Sequence, residues 1–191
     1  RENSQMKIIL MRHGRPLLSQ TGALKASDMR GWIADYDRAD IGRDAPPAAS
    51  RELAEHASVV ISSDLPRALS SLAALGREPA QTDALYREAH LPVFRLGGLR
   101  MSPFTWAAIF RGLWLCGIAG KVEPLREAKR RAMDAADSLL RLSSTADDTV
   151  LLMGHGIMNR LIAGALRAKG WRETDKPGKG YWSAGVFQSP G

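Results

Sequence analysis

A single cysteine, Cys116, stands in the whole chain, so neither an intrachain disulfide nor a four-thiolate zinc site can form. It falls in an apolar stretch and is read as a buried thiol, the usual setting of a free cysteine. Histidines are also few, four in all. They form no His-Glu-x-x-His pair and have no acidic cluster beside them, which argues against metal-dependent hydrolysis, and neither metal nor cofactor is expected. A G-x-x-x-x-G-K-[ST] loop is missing and so is G-x-S-x-G, which removes the nucleotide-cradling loop and the serine-hydrolase elbow. No run of about 20 uninterrupted apolar residues occurs, so no membrane span is expected. The chain does not open on a basic segment followed by an apolar one, so a cytoplasmic location is the expectation.

What is present is ordinary globular material: 191 residues, 45% hydrophobic and 25% charged. That length suits one domain with a sizeable core, here taken as residues 6–191, with residues 1–5 an extension ahead of it. The formal charge of +7, with 27 Lys and Arg, favours anionic partners without choosing among them. The basic residues lie in short groups such as Lys129-Arg130-Arg131 rather than one long run, and few alternate with aromatics as a stacking platform requires. Nucleic acid is the weaker reading and is not expected as a partner; on charge alone an acidic membrane surface and a phosphate ester, whether a small phosphorylated substrate or a phosphoprotein, both stay open.

Apolar runs mark the elements. Lys7 to Met11 (KIILM), Ser58 to Ser62 (SVVIS) and Thr149 to Met153 (TVLLM) read as buried strands. Helical spacing follows each or lies between them: Met29 to Tyr36 behind Ser27 and Asp28, a segment near 48–57 after Pro46-Pro47, Leu65 to Ala73, Leu125 to Leu142, and Ile157 to Arg167. Strands alternating with helices predict an α/β fold, a three-layer sandwich with a central, mostly parallel sheet flanked by helices. Phe104 to Ala119 differs from the rest, because its apolar residues cover nearly the whole circumference of a helix. Arg111 sits in its middle and Gly112, Gly117 and Gly120 interrupt it, so it is read as a buried helix or a homodimer contact, with an apolar lid as the alternative.

Two of the four histidines follow apolar strands directly and stand beside glycines, in Arg12-His13-Gly14 and Gly154-His155-Gly156. Ligands of open α/β sheets bind at the carboxyl ends of strands, so both imidazoles are candidates for one crevice. Arg12 and His13 can face one anion only where the strand has ended, and Gly14 permits such a turn. A guanidinium fork suits two phosphate oxygens, and its charge disfavours protonation of the imidazole beside it, as a nucleophile needs. Arg67, in the first turn of the helix after the second strand, supplies a second clamp. His155 can add a donor as charge develops on the oxygens, with Gly156 lending backbone room. A leaving alkoxide also needs a proton, and Glu88 is the candidate general acid and base, although its spacing alone does not single it out. His90 is the backup donor, and His56, on a helix face, is read as structural. Each of these features alone has a structural explanation; it is their joint occurrence that points to a phosphate pocket.

These segments resemble the histidine phosphatase superfamily, the phosphoglycerate mutase-like group. Arg12-His13-Gly14 matches its signature, Ser62-Ser63-Asp64-Leu65-Pro66-Arg67-Ala68 resembles its second arginine motif, and Gly154-His155-Gly156 its second histidine motif. Order and spacing agree from about residue 6 to residue 187. The resemblance implies a phosphohistidine on His13 with no metal, a pocket of Arg12, Arg67 and His155, and Glu88 as acid/base in a segment similar to Leu-Arg-Glu, with Tyr86 in place of the leucine. Ser19 stands where many relatives carry Asn and is the substrate-side candidate. A phosphomonoester phosphatase is thus the main expectation, with a phosphoglycerate mutase-like phosphotransferase or a non-catalytic phospholigand-binding module as alternatives.

Overall fold

The computed structural model describes residues 5–146 and 149–190. Strand β1 (Lys7–Arg12) opens the chain, followed by β2 (Leu24–Lys25), helices α1 (Met29–Arg38) and α2 (Ala48–Glu55), strand β3 (Val59–Ser62), helix α3 (Pro66–Ala74) and strand β4 (Gln81–Thr82). Then come β5 (Arg100–Met101), α4 (Pro103–Leu115), α5 (Leu125–Ala146), β6 (Thr149–Gly154), α6 (Gly156–Ala168), β7 (Arg172–Asp175) and β8 (Ala184–Gln188). Six strands make one sheet in the order β4-β3-β6-β1-β8-β7, and β2 pairs with β5 separately. The first four run parallel; β8 is antiparallel to β1, and β7 to β8.

The strand side chains alternate between two cores, as a two-sided sheet requires. Ile8, Leu10, Val150 and Leu152 pack with Ala132, Leu139, Ile162 and Leu166 from α5 and α6. Ile9, Met11, Leu151 and Met153 pack on the other face with Ala54 of α2 and Leu72 of α3. Leu152 is fully buried, and each such side chain contributes about 1.5–3 kcal/mol. Helices on both faces of a mostly parallel sheet are the α/β layering that the alternation of elements predicts.

Two expectations need correction. Cys116 is exposed, not buried, because α4 ends at Leu115 and Gly117 turns the chain with a φ of 91°. Nor is α4 buried all round. Trp106, Phe110 and Trp114 face inward, while Phe104, Ile109 and Leu115 are at least partly in solvent. Trp106 and Phe110 pack with Leu24, Met29 and Trp32, so α1, α4 and the β2–β5 pair form a small satellite core, while Trp114 packs with Ala89 and with Ala128 of α5. Strands β7 and β8, which were not anticipated, close the sheet's antiparallel edge.

Candidate active site

Arg12 is the last residue of β1, and His13 lies just beyond it. The backbone there is held from two sides: the Arg12 N–H donates to Ser183 O at 2.8 Å and the His13 N–H to Gly154 O at 3.1 Å. Gly14 donates to Ser71 Oγ at 2.8 Å, and that hydroxyl donates to the Arg67 carbonyl at 2.6 Å. Beta-carbon room is absent at Gly14, since a Cβ would fall 2.5 Å from Cζ2 of Trp182. Trp182 has φ 62°, an uncommon value for a large side chain. It is pinned by its Nε1–H, which donates to Asp44 at 2.8 Å, and by its carbonyl, which accepts from Ser50 at 3.1 Å.

His13 is 2% exposed, and its Nδ1 lies 2.7 Å from the Gly14 carbonyl oxygen. A carbonyl can only accept, so Nδ1 carries the proton and the Nε2 lone pair is left free. Burial first, then the Arg67 guanidinium and more weakly Arg12, push the imidazole pKa down to about 3, against the opposing bond to Gly14. His155 is fully buried, its ring centroid 5.0 Å from that of His13. Burial and then Arg67 hold it well below the usual histidine range as well. Its Nε2 shares a 2.9 Å hydrogen bond with Ser63 Oγ, and its Nδ1 has no protein partner.

Two tyrosines carry the two arginines. Arg12 lies over the Tyr181 ring at 4.5 Å and Arg67 over the Tyr36 ring at 4.7 Å, distances at which the ring face attracts a cation. Burial and the neighbouring Tyr181 hydroxyl raise the pKa of Tyr36. Arg67, buried in the first turn of α3, donates to the Tyr36 carbonyl and to Asp37 Oδ1, both at 3.1 Å. The Nε atoms of Arg12 and Arg67 are buried without a protein partner, which leaves donors for an anion between them. Gly156 passes beside Arg12, where a Cβ would sit 3.4 Å from Nε, an ordinary contact.

Glu88 lies at the N-terminus of α6. Its Oε2 accepts from the Ile157 N–H at 3.0 Å and its Oε1 from the N–H groups of Met158 and Ala89 at 2.9 and 3.0 Å. This carboxylate therefore occupies the first-turn donors of α6, a natural position for an anion. Two arginines hold its segment in place. Arg131 donates to the carbonyls of Leu85 and Arg87 at 3.0 and 2.8 Å while pairing with Glu123, and Arg111 of α4 donates to the Ala89 carbonyl at 2.7 Å.

Arg12, Arg67 and Glu88 line one cavity of about 310 Å³ together with His90, Tyr36 and Tyr181; His13 and His155 are buried and are not among its lining residues, the His13 ring centroid lying 5.7 Å from that of Tyr181. Ser19 is exposed and lines a separate hollow with Trp32 and Arg38. His56 donates to the Glu52 carbonyl at the end of α2. Among the described residues no three His, Cys, Asp or Glu are grouped to hold a metal, and no helix is long and apolar enough to cross a membrane. Sequence reasoning missed Tyr36, Asp37, Ser63, Ser71, Tyr181, Trp182, Arg111 and Arg131. The only local hint was the Tyr181-Trp182 pair after Gly180, which does not say where the pair lands.

The sequence model of the histidine phosphatase superfamily (branch 1) matches residues 8–180. Glucosyl-3-phosphoglycerate phosphatase of Mycolicibacterium vanbaalenii is 37% identical over 89 residues, a stretch that spans 44% of this chain and 37% of that protein. Among solved structures, the product of an open reading frame from Mycobacterium tuberculosis superposes with a TM-score of 0.60 at 16% identity, covering 96% of this chain and 94% of that one. A phosphoserine phosphatase from Entamoeba histolytica, in complex with 3-phosphoglyceric acid, superposes at 0.53 with 15% identity, covering 96% and 97%. At these identities the superpositions speak for the fold.

Proposed function

The chain belongs to branch 1 of the histidine phosphatase superfamily, and on that footing we propose that it is a phosphomonoester phosphatase working through a phosphohistidine on His13. The observation that carries this reading is the His13 ring itself. Its Nδ1–H is tied to the Gly14 carbonyl, it is kept neutral by burial and two guanidinium groups, and those two arginines have Nε donors without a protein partner.

In the first step the Nε2 lone pair of His13 attacks phosphorus in line, and the bond from phosphorus to the ester oxygen breaks. Arg12 and Arg67 hold the equatorial oxygens. The Ser63 hydroxyl donates to Nε2 of His155, which places the ring proton on Nδ1 as a third donor. Glu88 acts as the general acid that protonates the departing alkoxide. In the second step Glu88 takes a proton from water as that water attacks phosphorus, the N–P bond breaks, and inorganic phosphate leaves. Positioning and charge stabilisation supply most of the rate, as in other phosphoryl transfers. The names of the bacterial and amoebic relatives, both phosphatases, support transfer to water over transfer to a second substrate hydroxyl.

Incubation with a ³²P-labelled phosphomonoester, followed by an alkaline quench that preserves phosphohistidine, is expected to place label on His13. Undiminished turnover by His13→Ala would sink the mechanism.

A further inference from the structure

Beyond Arg12, Arg67 and Glu88 the cavity has one apolar side, made by Trp32, Ile33 and Tyr36 from α1, Leu91, and Phe104 and Ala107 from α4, and one polar side that carries Asp37, Arg87, His90 and Arg111. Trp32 anchors the apolar side, with its ring 5.2 Å from Tyr36 and 5.4 Å, edge on, from Phe104. Phe104 lines the same space and stands 48% exposed.

Of the polar groups along the cavity wall, His90 is exposed, and most of the others are engaged with the protein. Arg87 makes two 2.7 Å bonds to Asp64, and Asp37 holds Arg67. Arg111 lies over Trp114 at 4.7 Å and donates to the carbonyls of Ala89 and His90. The Trp32 Nε1–H donates to the Gln20 carbonyl at 3.1 Å. A sugar or a hydroxy acid lying along Trp32, Ile33, Leu91 and Phe104 would lose water from its hydroxyl groups and meet hydrocarbon there, at an uncompensated desolvation cost. The apolar surface also continues outward. Ile33 and Leu91 form a saddle into a second hollow of about 430 Å³, lined by Pro92, Val93, Phe94 and Val122 and by the cations Arg30 and Lys121.

We propose that the preferred substrates are phosphomonoesters of apolar alcohols, extended alkyl or aryl groups of about six carbons or more, rather than phosphates of sugars, hydroxy acids or amino acids. This assignment rests on the phosphatase reading above and specifies its substrate class. The leaving group lies along Trp32 and Phe104 and, when long enough, crosses the Ile33–Leu91 saddle. Burial of that group away from the reacting atoms supplies binding energy that raises kcat/KM.

A homologous series of n-alkyl phosphates, ethyl to octyl, tests this directly, because the alcohols released are nearly equal in acidity and differ only in apolar length. Each buried methylene is worth about a fourfold gain in kcat/KM, so hexyl phosphate should exceed ethyl phosphate by about 16-fold if two of its four extra methylenes are buried and about 250-fold if all four are. Phe104→Asp and Ile33→Asp, both checked for folding by circular dichroism, should each cut the hexyl-to-ethyl ratio by about tenfold. A flat or falling series overturns the proposal, as does a higher kcat/KM for phosphoserine, 3-phosphoglycerate or glucose phosphate than for hexyl phosphate, or a ratio that neither variant changes. Absence of hydrolysis across the whole series and for p-nitrophenyl phosphate, with no label on His13, overturns the phosphatase reading and the substrate class with it. Phosphatase activity confined to the polar esters overturns the substrate class alone.

Discussion

Replacing His13 with Asn should flatten the acid side of the stability profile by an amount that the structure sets. In the folded chain the His13 imidazole is held at about 3 by burial and Arg67, against 6.5 in an unfolded chain. Between those two values the unfolded state binds a proton that the folded state refuses, so stability falls as pH falls. The loss begins near pH 6.5 and is complete only near pH 3; above about pH 7.5 His13 contributes no slope. Within the window the slope approaches about 1.4 kcal/mol per pH unit, and from pH 6.5 to 4.5 the loss is about 2 kcal/mol from this group alone. His155 shifts in the same direction, so wild type should be steeper still. Urea unfolding followed by fluorescence of the five tryptophans, at pH 7.5, 6.5, 5.5 and 4.5, measures the profile. His13→Asn should lose about 2 kcal/mol less than wild type between pH 6.5 and 4.5. Parallel profiles for the two proteins would refute the reasoning, because they would mean that His13 takes up its proton in the folded state as readily as in the unfolded one.

Two glycines of the site should respond oppositely. Gly14→Ala drives a methyl into the pinned Trp182 ring and should lower stability by about 1–3 kcal/mol, whereas Gly156→Ala, with only an ordinary contact to Arg12, should be neutral or slightly stabilising at the start of α6; thermal melting of the pair decides it. Arg131→Met releases the Leu85 and Arg87 carbonyls and with them the register of Glu88. Its kcat should fall about 10- to 100-fold on an alkyl phosphate but much less on p-nitrophenyl phosphate, whose leaving group needs no proton, and an equal fall on both would count against Glu88 as the acid.

Much of the layering was legible in the chain because it depends on local rules. KIILM, SVVIS and TVLLM are short apolar runs with β-branched residues that end at turn signals, the marks of a buried strand, and the 3.6-residue spacing behind them marks the helices that cover the sheet. Strands β7 and β8 escaped notice for a physical reason: β7 carries Arg172, Glu173 and Asp175 at the sheet edge and is largely exposed, so no apolar alternation announces it. The circumferential apolarity of α4 misled in a different way. It arises because one face meets α1 and the other lies beside the candidate leaving-group space and solvent, two environments that the same residue types suit.

Within the site, what the sequence determined by itself was the set of strand ends. A short buried strand followed by a glycine-flanked histidine, or by a proline-initiated helix with arginine in its first turn, places Arg12, His13, Arg67 and His155 at one edge of a parallel sheet. Tertiary structure alone decided the electrostatic state of those groups. Tyr36 and Tyr181 reach the two arginines from positions 145 residues apart by number, Asp37 meets Arg67 across 30 residues, and Ser63 meets His155 across 92. The charge state and tautomer of an imidazole depend on burial and on neighbours a few ångströms away, and those neighbours are chosen by the packing of helices and loops that carry no local mark of where they will land.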